Sequence, residues 1–293
     1  MPRPRVHEAA GVPAEIEEEL AQSFELVAAP SDADGVVVTP AVSVDAAYLD
    51  AAGAQLRIVA NYGVGIDNVD LDAARERGVV VSNTPGVLTN ATAEHAIALA
   101  LALLRRIAEG DRALRRRDPW EWGPDFMVGE SLEGKELLVV GPGRIGRRVA
   151  ELAQAHGARP TFAGRDDDLL DLLPMADVVT LHCPLTPETR HVVNAAALTA
   201  MKPTAVLVNT ARGQVVDEAA LAAALEAGAI AGAALDVFEH EPAVSEELLA
   251  MENVVLTPHI ASATREARLA MGMLVVSALR AVLLEGRTPP NAV

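Results

Sequence analysis

Arg212, Glu241 and His259 are the residues of this 293-residue chain whose types could together carry proton and anion chemistry. Each follows a short apolar run of the kind that forms a buried strand: residues 205–209 precede Arg212, 232–236 precede Glu241 and 254–257 precede His259. Open parallel sheets receive their ligands beyond the carboxyl ends of their strands, so three such turns in succession define a candidate site. Arginine offers a permanently charged fork that grips a carboxylate. Histidine, with an unperturbed pKa of about 6.5, gives and takes a proton near neutrality. A glutamate beside it would favour the protonated ring and fix its tautomer. Taken singly, each residue reads as an ordinary turn, since His after Pro, Arg-Gly and Glu-Pro are all common in loops. Their joint placement carries the functional reading. His7, His95, His156, His182, His191 and His240 receive no catalytic role.

A second constellation lies upstream. Leu137-Leu138-Val139-Val140 runs into Gly141-Pro142-Gly143-Arg144-Ile145-Gly146, after which Val149, Leu152 and Ala153 continue at helical spacing. This is G-x-G-x-x-G between a strand and a helix. Gly141 permits the tight turn, Gly143 lets a pyrophosphate approach the backbone, and Gly146 lets helix and strand pack closely. The helix N-terminus then offers N–H groups and a positive dipole end to phosphates. The pattern without its context is weak, but here it points to a dinucleotide. A ribose-binding acid is expected about 20 residues on, at the end of the second strand. Gly164 stands there instead, followed by Arg165, whose guanidinium suits a 2′-phosphate. That tips the expectation towards NADP(H) over NAD(H). Asp166, Asp167 and Asp168 follow at once, and any of them could reach the ribose or repel the phosphate.

The elements that position these residues alternate short β-branched runs with longer Ala/Leu helical patterns, the signature of βα units in parallel sheets. Strands are expected at 35–38, 56–60, 79–83, 137–140, 160–163, 178–181, 205–209, 232–236 and 254–257, too many for one tidy sheet. A long helix over 89–117, capped by Asn90 or Thr92, and a loop over 118–129 holding Trp120 and Trp122 break the series, which sets a domain boundary. The arginines late in that helix read as a solvated face near its negative end. A terminal helix over 264–285 is expected to pack back on an earlier element.

Composition bounds the partners. Lys and Arg total 24 against 41 Asp and Glu, a formal charge of −17, so nucleic acid and anionic membrane surfaces are not expected. An anionic small substrate must be met by a local cation. Cys183 is the single cysteine, which fits a reducing compartment. Residues 1–10 show no apolar signal region, and the apolar run 96–104 is far short of the ~20 residues of a membrane helix, so a cytoplasmic protein is expected.

Further motifs follow in order: Asn61-Tyr62-Gly63-Val64-Gly65-Ile66-Asp67, Thr92-Ala93-Glu94-His95, Leu181-His182-Cys183-Pro184-Leu185-Thr186, Val208-Asn209-Thr210-Ala211-Arg212-Gly213, Ala234-Leu235-Asp236-Val237-Phe238-Glu239-His240-Glu241-Pro242 and Leu256-Thr257-Pro258-His259-Ile260. This set resembles the D-isomer-specific 2-hydroxyacid dehydrogenases over nearly the whole chain. The Trp-rich loop, Phe126-Met127-Val128-Gly129 and Gly164-Arg165 look most like the glyoxylate/hydroxypyruvate reductases. The resemblance implies an α/β fold of two Rossmann-like or flavodoxin-like parallel-sheet lobes, the nucleotide lobe (91–263) inserted in the substrate lobe (1–90 and 264–293), with the active site in the cleft between them. It implies a hydride transfer between NAD(P)H and a small 2-keto acid to give a D-2-hydroxy acid. The family's substrate arginine falls on Arg212, its glutamate on Glu241 and its catalytic histidine on His259. Val64 and Gly65 match the loop that receives the substrate carboxylate. Gly141, Gly143, Arg144, Ile145, Gly146, Gly164, Arg165, Cys183, Pro184, Thr210 and Asp236 match cofactor positions, Asp236 near the nicotinamide. No metal is implied, and a homodimer is. The alternative is a non-catalytic NAD(H)-binding sensor or scaffold on the same fold. A formate-dehydrogenase-like reading is weaker, because that branch has glutamine where Glu241 stands.

Overall fold

The computed structural model describes residues 3–293. Along the chain run β1 (Arg5–Glu8), α1 (Ala14–Ser23), β2 (Glu25–Val27), β3 (Gly35–Val38), α2 (Ala46–Ala52), β4 (Ile58–Asn61), α3 (Leu71–Glu76) and β5 (Val80–Ser82). Then come α4 (Thr89–Leu104), α5 (Ile107–Arg116), β6 (Glu136–Val140), α6 (Arg144–Ala155), β7 (Arg159–Ala163), α7 (Leu169–Leu172), β8 (Val178–Leu181), α8 (Ala195–Ala200), β9 (Val206–Asn209), α9 (Glu218–Glu226), β10 (Gly232–Leu235), α10 (Glu246–Ala250) and β11 (Val254–Leu256). The last helix is α11 (Arg265–Leu283). The chain divides into two units, one of the described residues up to Leu88 with Ala263–Val293, the other Thr89–Ser262.

The first unit carries a five-stranded sheet in the order β2-β1-β3-β4-β5, all parallel. Val36, Val38, Val59 and Val81 form a core with Leu49 of α2 and Ala73 and Ala74 of α3. The helix α11, capped by the Thr264 hydroxyl accepting from the Ala267 N–H, lies on β3, β4 and α1. It crosses α1 so closely that a methyl on Gly272 would stand 2.3 Å from Ile16. The C-terminal tail runs beside β5 and covers that edge, with Val293 N–H donating to Val81 O at 3.0 Å.

The second unit carries a six-stranded parallel sheet, β11-β10-β9-β8-β6-β7. Its strands alternate between two cores. Leu137, Val139, Val178, Val206 and Val208 pack with Ala96, Ile97 and Ala100 of α4 and Val149 and Ala153 of α6. Leu138, Val179, Leu181 and Leu207 pack on the other face with Leu198 of α8 and Leu221 and Leu225 of α9. Burial on both faces explains why β6, β8 and β9 read as largely apolar runs. In both sheets the first strand lies between the second and the third, so successive βα crossovers leave it in opposite directions and open a crevice at its carboxyl end. In the second unit that strand is β6, which feeds the glycine turn.

Three expectations need correction. The helix expected over 89–117 is two helices, because Arg106 takes a left-handed conformation, φ 54°, between α4 and α5. The helix α4 begins at Thr89, so Asn90 and Thr92 lie inside it, and Asn90 bonds Glu94 on the next turn at 2.5 Å. The strands β1 and β2 were not anticipated; β1 has one fully buried side chain, Val6, and no alternation to announce it. The late arginines make exposed ion pairs, Arg112 and Arg116 with Glu252 and Arg115 with Asp111, as a solvated face would.

Candidate active site

The turns after β6, β9, β10 and β11 carry the second unit's candidate site residues. Gly141 follows β6 at φ 99°, and a Cβ there would lie 2.6 Å from the Cys183 nitrogen at the end of β8, so only glycine admits this crossing. A Cβ on Gly146 would lie 2.2 Å from Gly141 O, which lets α6 sit hard against β6. Gly143 is the residue before α6, caps it with no side chain, and has open space where a Cβ would be. An uncapped helix N-terminus facing open space is an anion cradle. Arg144 is exposed beside it and Ile145 is half-buried against the core.

Beyond β7, the Gly164 N–H donates to Asp167 Oδ2 at 2.7 Å, so Asp167 is the aspartate of the three that folds back on the strand end. Arg165 is exposed, and its charge helps to hold the Glu188 carboxyl below its usual value, after hydrogen bonds from Thr186 and the Glu188 backbone. Cys183 is half-buried, which pushes its thiol up, and Pro184 beside it is exposed. Thr210 is buried, and its hydroxyl has no hydrogen-bond partner. A buried donor left without a partner at a strand's carboxyl end, with an open helix N-terminus on the same sheet, fits a bound dinucleotide.

Arg212 sits two residues beyond Thr210. The Asn209 side chain accepts from the Ala211 N–H at 3.0 Å and donates to Arg212 O at 2.9 Å, which shapes the turn. Arg212 itself donates to Ala211 O at 2.9 Å. The next residue, Gly213, passes under the Phe238 backbone, where a Cβ would be 1.8 Å from the carbonyl carbon. The turns after β9 and β10 are thereby pressed together.

The loop after β10 is pinned by Glu239. Its N–H donates to Glu218 Oε2 at 2.9 Å, its carbonyl accepts from Gln214 at 2.9 Å, and its carboxylate lies 2.7 Å from His191 Nε2. Glu241 follows. One carboxylate oxygen accepts from the Phe238 N–H at 3.0 Å and the other lies 2.8 Å from His259 Nδ1. Burial pushes this carboxyl up, but the hydrogen bond and charge of His259, the Phe238 N–H and the charge of Arg212 outweigh it and hold the group below its usual range. An ionised carboxylate only accepts, so His259 Nδ1 carries a proton and Nε2 is the ring nitrogen left to exchange one. His259 stands in a left-handed conformation, φ 53°, with its N–H donating to Asp236 O at 2.8 Å.

Asp236 is fully buried. Burial raises its carboxyl, and hydrogen bonds from His95, Thr257 and the Ile260 and Ala261 N–H groups more than reverse the effect. In the first unit, Val64 and Gly65 lie in the turn after β4. Asn83 donates to Val64 O at 2.8 Å and Asn61 to Gly65 O at 2.7 Å, so both carbonyls are tied back and the two peptide planes are fixed. Sequence reading missed the asparagines Asn61, Asn83 and Asn209, and missed Glu239 and His95. The signal that could have found the asparagines is an Asn at or just past the end of an apolar strand, where its amide can replace a lost ladder partner. No group of three or more His, Cys, Asp and Glu side chains among the described residues is arranged to hold a metal.

A hollow of about 320 Å³ at the amino end of the same sheet, near Leu103, Thr204, Val206, Ala231 and Asn253, contains none of these groups.

Residues 97–261 match the family model described as D-isomer specific 2-hydroxyacid dehydrogenase, NAD binding domain. The chain is 48% identical over 257 residues to a glyoxylate reductase of Aeropyrum pernix, covering 82% of this chain and 76% of the relative. A crystal structure of a Thermus thermophilus protein superposes with a TM-score of 0.91 at 42% identity, over 99% of both chains. The NADPH-dependent glyoxylate/hydroxypyruvate reductase of Sinorhizobium meliloti, solved with NADP and malonate, superposes with a TM-score of 0.88 at 37% identity, over 99% of this chain and 97% of that one.

Proposed function

The chain belongs to the D-isomer specific 2-hydroxyacid dehydrogenases, an oxidoreductase on a doubly wound α/β fold, and from that premise we propose that it reduces glyoxylate or hydroxypyruvate to the matching 2-hydroxy acid. The single observation that carries the chemistry is the 2.8 Å contact between His259 Nδ1 and Glu241. Glu241 accepts from Nδ1–H and so fixes the ring's tautomer and orientation, which leaves His259 Nε2 to donate the proton that the reduced carbonyl oxygen takes up. Arg212 grips the substrate carboxylate and polarises the carbonyl, and Val64 and Gly65 in the first unit are proposed as substrate-binding on their match to the family's motif. When bound, a reduced nicotinamide supplies the hydride that forms the new C–H bond. Gly141, Gly143 and Gly146 at the N-terminus of α6 would hold its phosphates, and Arg144, Ile145, Cys183, Pro184 and Asp236 are proposed as further cofactor-binding residues. The unpartnered Thr210 hydroxyl supports the same reading.

For the cofactor's 2′ position we favour NADPH, because the residue at the strand end, Gly164, has no carboxylate of its own and Arg165 is exposed beside it. Asp167, bonded to the Gly164 N–H, opposes that preference. Residues 91–263 take the nucleotide role in this reading, and residues 1–90 with 264–293 take the substrate role. A homodimer is proposed through the exposed Ile107, Leu114, Trp120, Trp122, Phe126 and Val128, and a cytoplasmic setting suits the single cysteine. No helix of the described residues is long and apolar enough to cross a membrane.

The test is absorbance at the nicotinamide band with a panel of 2-keto acids and both reduced cofactors. Turnover of glyoxylate or hydroxypyruvate is expected. Cofactor binding without turnover of any member of the panel would support the sensor reading instead. A kcat/KM ratio for NADPH over NADH that exceeds one in the wild type and falls in Arg165→Ala would support the 2′ assignment, and equal or better use of NADH would overturn it.

A further inference from the structure

Two consecutive residues after β5 hold the turn after β4. The Thr84 N–H donates to Gly63 O at 3.0 Å, and Asn83 Nδ2 donates to Val64 O at 2.8 Å. With the Val64 carbonyl held there, the Gly65 N–H, trans to it across the same peptide, is fixed in the opposite direction. Asn83 can do this only while its own main chain is held, and β5 is an edge strand with β4 on one side. On its other side stands the C-terminal tail.

The tail engages both main-chain groups of Asn83. Asn291 Nδ2 donates to Asn83 O at 2.6 Å, and the Asn83 N–H donates to Asn291 O at 3.2 Å. Beyond this pair the tail continues as an antiparallel neighbour of β5: Ala292 lies opposite Ser82, and the Val293 N–H donates to Val81 O at 3.0 Å. It arrives through Pro289, which is buried, and Pro290, whose rings fix φ and leave the segment little freedom to lose on docking. The Ala292 N–H closes the turn on Pro289 O at 3.1 Å. Asn83 therefore meets the tail with its main chain and the β4 turn with its side chain.

We propose that Asn291 is a positioning residue for substrate binding: it grips the Asn83 main chain and, through the Asn83 side chain, fixes the Val64–Gly65 peptide. This rests on Val64 and Gly65 binding the substrate under the reading above. The tail then serves the substrate as well as covering a sheet edge. Its effect falls on KM, since Arg212, Glu241 and His259 stand on turns of the other sheet. Ala at 291 removes the amide, and Leu keeps about its size without the donor. Both leave the main-chain carbonyl at 291 in place, so the tail can stay docked.

The experiment measures kcat and KM for glyoxylate at saturating reduced cofactor, with the Ki of oxamate, an unreactive analogue of a 2-keto acid, as a second measure of binding. The proteins are wild type, Asn291→Ala, Asn291→Leu, Asn83→Ala and the Asn83→Ala, Asn291→Ala double variant. KM and Ki should rise about threefold in both Asn291 variants, with kcat within about twofold of wild type. The double variant should bind no worse than Asn83→Ala, because Asn291 has lost the side chain through which it acts. Factors that multiply in the double variant would mean independent effects and overturn the proposal. So would a wild-type KM in the Asn291 variants, or a kcat that falls as far as KM rises. If Asn291→Leu does not fold, Asn291→Ala decides alone. A wild type that turns over no 2-keto acid would overturn the underlying reading and this inference with it, whereas wild-type turnover with a raised KM in Asn83→Ala and unchanged Asn291 variants overturns the inference only.

Discussion

The two sheets share one winding and differ in what their turns present. In the first, the turns after β4 and β5 offer backbone: Asn61 and Asn83 fix the carbonyls of Gly65 and Val64. In the second, the turns after β9, β10 and β11 offer ionisable side chains, Arg212, Glu241 and His259, each braced by a buried or half-buried polar neighbour. One topology used twice thus presents fixed peptides in one unit and ionisable side chains in the other. The winding decides where a ligand can be met, and the turn residues decide what is done to it.

Removing the cation of the second sheet should have the largest effect. Arg212→Gln is expected to lower kcat/KM for a 2-keto acid by about a thousandfold, and Arg212→Lys, which keeps charge but loses the fork, by less, with both KM and kcat affected. A neutral replacement that binds 2-keto acids as well as wild type would move the role elsewhere.

Glu241→Gln should cost about a hundredfold in kcat, because the ring loses the acceptor that fixes its tautomer. Glu241 is held ionised below the ordinary carboxylate range, so its charge is present throughout the neutral region. Its removal takes away the charged acceptor 2.8 Å from His259 Nδ1, and a kcat near wild type in Glu241→Gln would mean that the two side chains do not cooperate in solution.

A smaller effect separates stability from catalysis. Burial pushes the His182 imidazole down to about 3, with Thr180 Oγ1 2.8 Å from its Nε2. As pH falls from about 6.5 towards 3, the unfolded chain binds a proton that the folded chain refuses, so stability drops, by up to about 1.4 kcal/mol per pH unit. Above that window the group contributes no slope. Urea midpoints at pH 7 and pH 5 should therefore converge more closely in His182→Gln than in wild type, and equal slopes would contradict the assignment.

The least change is expected from the first sheet. Asn83→Ala frees one carbonyl of those fixed peptides and should raise KM by roughly threefold to tenfold with kcat little altered, as loss of a single neutral hydrogen bond allows. A fall in kcat matching that of Glu241→Gln would erase the distinction between the two sheets.

Much of this was legible in the sequence for a physical reason. Strands buried on both faces must be mostly apolar, so Val178–Leu181 and Val206–Asn209 declare themselves, and the residues after them can be read as turn residues. The glycine turn is legible because steric crossings at Gly141 and Gly146 tolerate nothing larger. What stayed hidden depends on partners distant in sequence. Arg5-Val6-His7-Glu8 forms a strand through its neighbours, with little apolar content of its own. The break at Arg106 falls in a run of good helix formers and shows only as a positive φ. The part of His95 lies 162 residues away, at Thr257, where no local pattern reaches it.

The central claim, that His259 is the proton donor and works through Glu241, is tested most directly by kcat for glyoxylate reduction in His259→Ala beside the Kd of the same variant for NADPH. A fall of at least about a hundredfold in kcat with cofactor affinity nearly unchanged is expected. A kcat near that of wild type would contradict it.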